Sequence, residues 1–163
     1  MATVCALRGL EVLDSRGHPT VKATCDLASG ARGAASVPSG ASTGAAEAIE
    51  RRDGEVHRYH GLGCRQAVRH IDEDLARAIV GRAFSSQQAW DEALVACDGT
   101  ERKARLGANA ILACSLAFAR WRSPRFSLDG TYGQTYARPT HRSKFRPDFR
   151  GRSPSVRRRR ASW

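Results

Sequence analysis

Thr20-Val21-Lys22-Ala23-Thr24-Cys25-Asp26-Leu27 is the stretch that decides the fold. Val21, Ala23, Cys25 and Leu27 alternate with Thr20, Lys22, Thr24 and Asp26. That period of two sets one apolar face against a core and leaves the other wet. Just upstream, Asp14-Ser15-Arg16-Gly17-His18-Pro19 gathers turn-forming residue types, and Val4 to Leu13 before it reads as another strand. Downstream, Ser29-Gly30 turns into a third strand, about Ala31 to Val37. Three strands joined by short turns predict an antiparallel meander.

From residue 45 the period becomes helical. A short helix is expected from Ala45 to Arg52, stopping at Asp53-Gly54. A second, Arg65 to Val80, carries Ala67, Val68, Ile71, Leu75 and Ile79 on one stripe, with Gly81 placed to end it. A third starts at Ser85, where Ser85 and Gln88 have capping-box spacing, and sets Trp90, Ala93, Leu94 and Cys97 on one face. The fourth, Ala108 to Trp121, is apolar nearly all round, the pattern of a helix buried on most sides. Strands first and about four helices afterwards define an α+β domain over residues 1–121.

The formal net charge of +11 suggests a nucleic-acid binder until it is mapped. Residues 1–121 hold 15 Lys+Arg against 14 Asp+Glu, whereas residues 122–163 hold 12 against 2. The basicity therefore belongs to the last 42 residues, where eleven arginines and four prolines lie among Ser, Thr, Gly and Tyr without any period. Such a composition predicts a disordered tail. Interleaved aromatics (Phe126, Tyr132, Tyr136, Phe145, Phe149, Trp163) suit weak, nonspecific contact with nucleic acid.

Cys5, Cys25, Cys64, Cys97 and Cys114 show neither zinc nor redox-motif spacing and read as buried, reduced thiols of a cytoplasmic protein. Arg8 and Glu11 break the N-terminal apolar residues before an export signal forms, and no stretch reaches the ~20 apolar residues of a membrane span.

Ser39-Gly40-Ala41-Ser42-Thr43-Gly44 carries the chemistry most worth weighing. Two glycines and three hydroxyls let the backbone approach a ligand closely, and the segment leads into the expected helix, whose N–H groups would favour an anion. The plainer alternative is that Ser42 and Thr43 only cap that helix. No Gly-Lys-Ser/Thr follows, so this is not a Walker-type loop. Asp14, Arg16 and Glu47 are expected to be structural, and His57, His60 and His70 lack carboxylate companions at metal spacing.

Four segments in order resemble the N-terminal domain of enolases. Asp14-Ser15-Arg16-Gly17-His18-Pro19-Thr20-Val21 is similar to that family's DSRGNPTV, with His18 for Asn, and Val37-Pro38-Ser39-Gly40-Ala41-Ser42-Thr43-Gly44 matches its flexible active-site loop letter for letter. Glu47-Ala48-Ile49-Glu50-Arg51-Arg52-Asp53-Gly54 is close to EALELRDG. Asp98-Gly99-Thr100 with Gly107-Ala108-Asn109-Ala110-Ile111-Leu112-Ala113-Cys114-Ser115-Leu116-Ala117 is close to DGT…GANAILAVSLA.

The resemblance implies an enzyme that removes water from 2-phosphoglycerate to give phosphoenolpyruvate. It implies that the loop 39–44 closes over substrate and that Ser42 ligates the second Mg²⁺ through oxygen. It also implies that the principal metal carboxylates, the Lys base and the acid/base Glu lie on a following α/β barrel. Such a barrel needs about 250 residues; 42 remain. No catalytic residue is therefore expected in this chain, which reads as an N-terminal fragment inactive alone. Leu10 and Lys22 stand where the family often has Arg and Glu in ion pairs across its homodimer, so the usual dimer is not expected. Three readings stay open: a truncated or frameshifted enolase, a nucleic-acid-binding module using the tail, and one piece of a split enolase.

Overall fold

The computed structural model describes residues 1–38, 44 and 47–122. Ser39 to Thr43 and the basic segment 123–163 lie outside the described residues, as does the disorder expected of that segment.

The expected meander is present as β1 (Ala2–Leu13), β2 (Pro19–Leu27) and β3 (Arg32–Val37). The Asp14 carboxylate organises the first turn, accepting the N–H groups of Arg16 at 2.8 Å and His18 at 2.9 Å. Gly17 completes it at φ +76, a left-handed position that costs glycine nothing. Val21, Ala23 and Cys25 are wholly buried on the inner face of β2, as the alternation predicts. On the outer face the strand register sets Leu10 opposite Lys22, so those two departures from the family pattern are cross-strand neighbours.

A fourth strand, β4 (Ala83–Phe84), pairs with the start of β1, giving the order β3-β2-β1-β4. Two residues are too few to show a period of two, so sequence pattern missed it.

The second expected helix is α1 (Arg65–His70), continuing through a π turn (Ile71–Leu75) into α2 (Ala76–Ile79). Ala67, Ile71, Leu75 and Ile79 are wholly buried; Val68 is half-buried. The π turn carries a residue that ties it to the sheet. Past the short β4 the edge of β1 is open, and Asp72 Oδ1 accepts the N–H of Gly9 there at 2.7 Å. A Cβ on Gly9 would sit 3.1 Å from the Val68 carbonyl and 3.2 Å from Ile71 Cβ, so glycine permits the close approach.

Helix α3 (Gln87–Asp98) is capped by Ser86, not Ser85: the Ser86 Oγ accepts Ala89 N–H at 3.1 Å. Ser86 is the last extended residue before the helix, and Gln88 bonds Glu92 instead of closing a capping box. Trp90 stacks on Phe118 at 4.4 Å, with Phe84 edge-on to both. Its indole N–H donates to the Cys114 carbonyl at 3.2 Å, which ties α3 to α4 (Ala108–Arg122).

Helix α4 is less enclosed than its composition implies. Ala110, Ala113, Cys114, Ala117 and Phe118 are wholly buried, yet Leu112 and Leu116, one turn apart, are 46% and 37% exposed. The helix lies on the sheet, where Gly33 is required because any Cβ would overlap the Ala117 carbonyl. Cys25, Cys64 and Cys114 are buried free thiols, but Cys97 is only half-buried and Cys5 is exposed, on the alternate side of β1 from Val4. Among the described residues no helix is long and apolar enough to cross a membrane.

The helix expected from Ala45 to Arg52 is absent over its described residues, 47–52. Its backbone groups bond to distant chain instead of to each other.

Candidate functional site

Of the six residues expected to contact substrate, only Gly44 is described, and it is exposed. What the structure does define is the framework on either side of residues 38–46.

Upstream, Val37 closes β3 in register with Val21. Thr20, itself buried, donates its hydroxyl to the Val37 carbonyl. A strand ladder and one side-chain bond fix this end.

Downstream, Gly44 accepts the N–H of Glu47 at 3.1 Å. The carbonyl of Glu47 accepts from Arg102 Nε at 3.2 Å, and Ile49 N–H donates to the Arg102 carbonyl at 2.8 Å. Ala108 N–H then donates to the Ile49 carbonyl at 2.8 Å. Asn109, 3% exposed, serves both backbone groups of Arg51: its Oδ1 accepts Arg51 N–H and its Nδ2 donates to Arg51 C=O, each at 3.0 Å. Gly107 stands at φ +99, and a Cβ there would lie 2.5 Å from Arg51 Cβ. These bonds answer why Glu47 to Arg52 is not helical: the carbonyl of Glu47 and both backbone groups of Ile49 and Arg51, which a helix would need, are claimed across the fold. They also remove the capping reading of Ser42 and Thr43, and the anion-favouring helix start, because no helix follows at 47–52.

Arg52 ties this segment to the sheet and to the next loop. Its Nη1 donates to Pro19 O at 2.7 Å and Leu62 O at 2.8 Å, and its Nη2 meets Glu50 at 2.7 Å. Asp53 caps α1 from a distance, accepting Arg65 N–H at 2.9 Å and Gln66 N–H at 2.8 Å. Glu11 of β1 pairs with Arg58 and accepts Cys64 N–H at 2.6 Å. The Arg58 hydrogen bond, aided by that N–H and nearby positive charge, holds the Glu11 carboxyl below its ordinary range against the opposing effect of burial. Burial pushes the Cys64 thiol up to about 11 despite the Arg52 guanidinium beside it. That thiol is a packing group rather than a nucleophile.

Asp14 and Arg16 belong to the β1–β2 turn, and Glu47 contributes backbone groups to the downstream anchor. His70 Nδ1 lies 2.9 Å from Asp74 Oδ2, and His57 and His60 are exposed. Among the described residues no three His, Cys, Asp or Glu side chains converge at metal-binding distances. Mg²⁺ takes six oxygen ligands. The described residues do not fit that ion, and the Ser42 hydroxyl adds a single donor.

Sequence reasoning passed over Arg102, Asn109 and Thr20. Asn109 had a usable signal, since it is the one strongly polar side chain in the apolar run from Gly107 to Ala113. Arg102 had none, because a basic residue in a turn is ordinary.

The described residues thus form an α+β domain of meander and helices, with the Ser/Gly-rich stretch of sequence falling between the end of β3 and the return at Glu47 to Arg52. The family model described as "Enolase, N-terminal domain" matches residues 4–128, and the chain belongs to that family.

Proposed function

We propose that this domain serves the enolase reaction by holding residues 38–46 over 2-phosphoglycerate bound on an α/β barrel. The family match over residues 4–128, which spans the letter-for-letter segment Val37 to Gly44, carries the reading. In it, Ser42 gives an oxygen to a Mg²⁺ whose carboxylate ligands belong to the barrel. This chain orients substrate and excludes water; it does not take the proton.

Removing a carbon-bound proton needs a placed base and stabilisation of the developing charge. Five acids of this domain are already committed to its framework. Glu11 pairs with Arg58, Asp26 with Arg8 and Arg32, Asp53 caps α1, and Asp72 holds Gly9. Asp98 accepts from Thr100 and from Leu106 N–H. A covering segment without the groups beneath it lowers no barrier. The buried free thiols of Cys25, Cys64 and Cys114 support a reducing compartment, and the reading places the protein in the cytoplasm.

The test is phosphoenolpyruvate formation. Purified residues 1–163, free of host enolase, give no turnover above background with or without Mg²⁺. Addition of a separately expressed enolase barrel restores activity, and Ser42→Ala lowers it. Mg²⁺-dependent turnover by the pure chain would place the chemistry in this domain and overturn the reading.

A further inference from the structure

We propose that Arg102 is a positioning residue that sets where the chain returns into the fold after residues 38–46. Its effect on catalysis rests on the enolase reading above; its effect on local order does not.

Arg102 grips the returning chain twice. Its carbonyl accepts Ile49 N–H at 2.8 Å, and its own Nε donates to the carbonyl of Glu47 at 3.2 Å. Two bonds to residues two apart imitate the spacing of a β ladder on a segment that is not a strand, with a guanidinium replacing the second backbone donor. Beyond Glu47 the described chain has one further tie, Glu47 N–H to Gly44 O, within the returning segment itself. Among the described residues downstream of Ser42, the side-chain bond of Arg102 is thus the tie to the body of the domain that comes first in sequence, matching the Thr20 bond to Val37 on the upstream side.

The neighbouring cations do other work. Arg105 donates to the carbonyls of Cys97 and Asp98, closing the C-terminus of α3, and Lys103 donates to Glu101 O. Among the described residues no carboxylate lies within ion-pair distance of Arg102. The guanidinium is exposed and binds a backbone carbonyl, so removing it disturbs neither the core nor a charge pair.

The test uses the full chain with Arg102→Ala and Arg102→Lys. Arg102→Ala leaves the melting temperature unchanged while amide exchange at Glu47 and Ile49 quickens about fivefold, the size expected for one solvent-exposed hydrogen bond. Arg102→Lys, which keeps a donor, stays near wild type. In the barrel-complemented reaction Arg102→Ala lowers kcat/KM and Arg102→Lys restores it. Wild-type exchange at both amides in Arg102→Ala overturns the assignment, as does a rise spread evenly over the domain. Complementation that yields no activity with the wild-type chain refutes the enolase reading and with it the catalytic half of the assignment, while the exchange result decides the structural half.

Discussion

The two ends of the 38–46 segment are held in different ways. Val37 ends a strand whose register with β2 is repeated over six residue pairs, and Thr20 adds one hydroxyl bond to that ladder. The stretch from Glu47 to Arg51 is in no strand; two backbone bonds hold it at Ile49, and on either side of them it depends on three particular residues, Arg102, Gly107 and Asn109. A ladder tolerates many side chains because its bonds are backbone bonds, whereas a side-chain-held segment fails when one residue changes. The upstream anchor is redundant; the downstream one is specific.

The largest expected effect is at Asn109. Asn109→Ala takes the partner of the Arg51 N–H and C=O away in a half-buried site, at a cost of about 2–3 kcal/mol, read as a lower urea midpoint. Segment 47–53 loosens with it, because Asn109 alone pairs both groups of Arg51 among the described residues. A loss below about 1 kcal/mol would show that the downstream anchor is as redundant as the upstream one.

Thr20→Val removes only the hydroxyl bond to Val37 and keeps the shape. The expected loss is about 1 kcal/mol, since the ladder still fixes Val37 and only its carbonyl's extra donor disappears. If Thr20→Val proves as damaging as Asn109→Ala, the contrast between the two ends breaks down.

The smallest effect is a shape in pH. Glu11 has its carboxyl depressed below the ordinary 4.5, foremost by the Arg58 hydrogen bond. Its folded pKa being the lower one, its contribution is fully present above 4.5 and is lost as pH falls below that value. Arg58→Gln therefore flattens the acid limb of the stability curve and changes its neutral arm in the destabilising direction. An acid limb identical to wild type would mean the pair contributes nothing to the framework around Cys64.

These same regions show what sequence could and could not say. Thr20 to Leu27 was legible because alternation is local: each residue states its own face. The stripe from Ala67 to Ile79 was legible for the same reason, although the π turn inside it, where Asp72 bonds Gly9 far upstream, left no mark on the stripe. Residues 47–52 were misread because Glu, Ala, Ile and Arg favour a helix when judged alone, and the bonds that forbid one come from residues 102–109. The letters of the loop were legible as a family motif, but what anchors it was not, since Arg102 and Asn109 enter through pairings that no local period encodes.

The span between Arg51 and Asn109 also bears on how the chain acquires its shape during synthesis. The pairing joins residues 58 positions apart, while the meander from β1 to β3 needs only neighbours already made. Local contacts form first because they confine less chain, so the sheet can settle while the nascent polypeptide is short. The stretch around Arg51 must wait until the start of α4 has left the ribosome and docked. Until then a newly made chain presents the unclaimed backbone of Ile49 and Arg51 to whatever chaperone or protease stands at the exit tunnel.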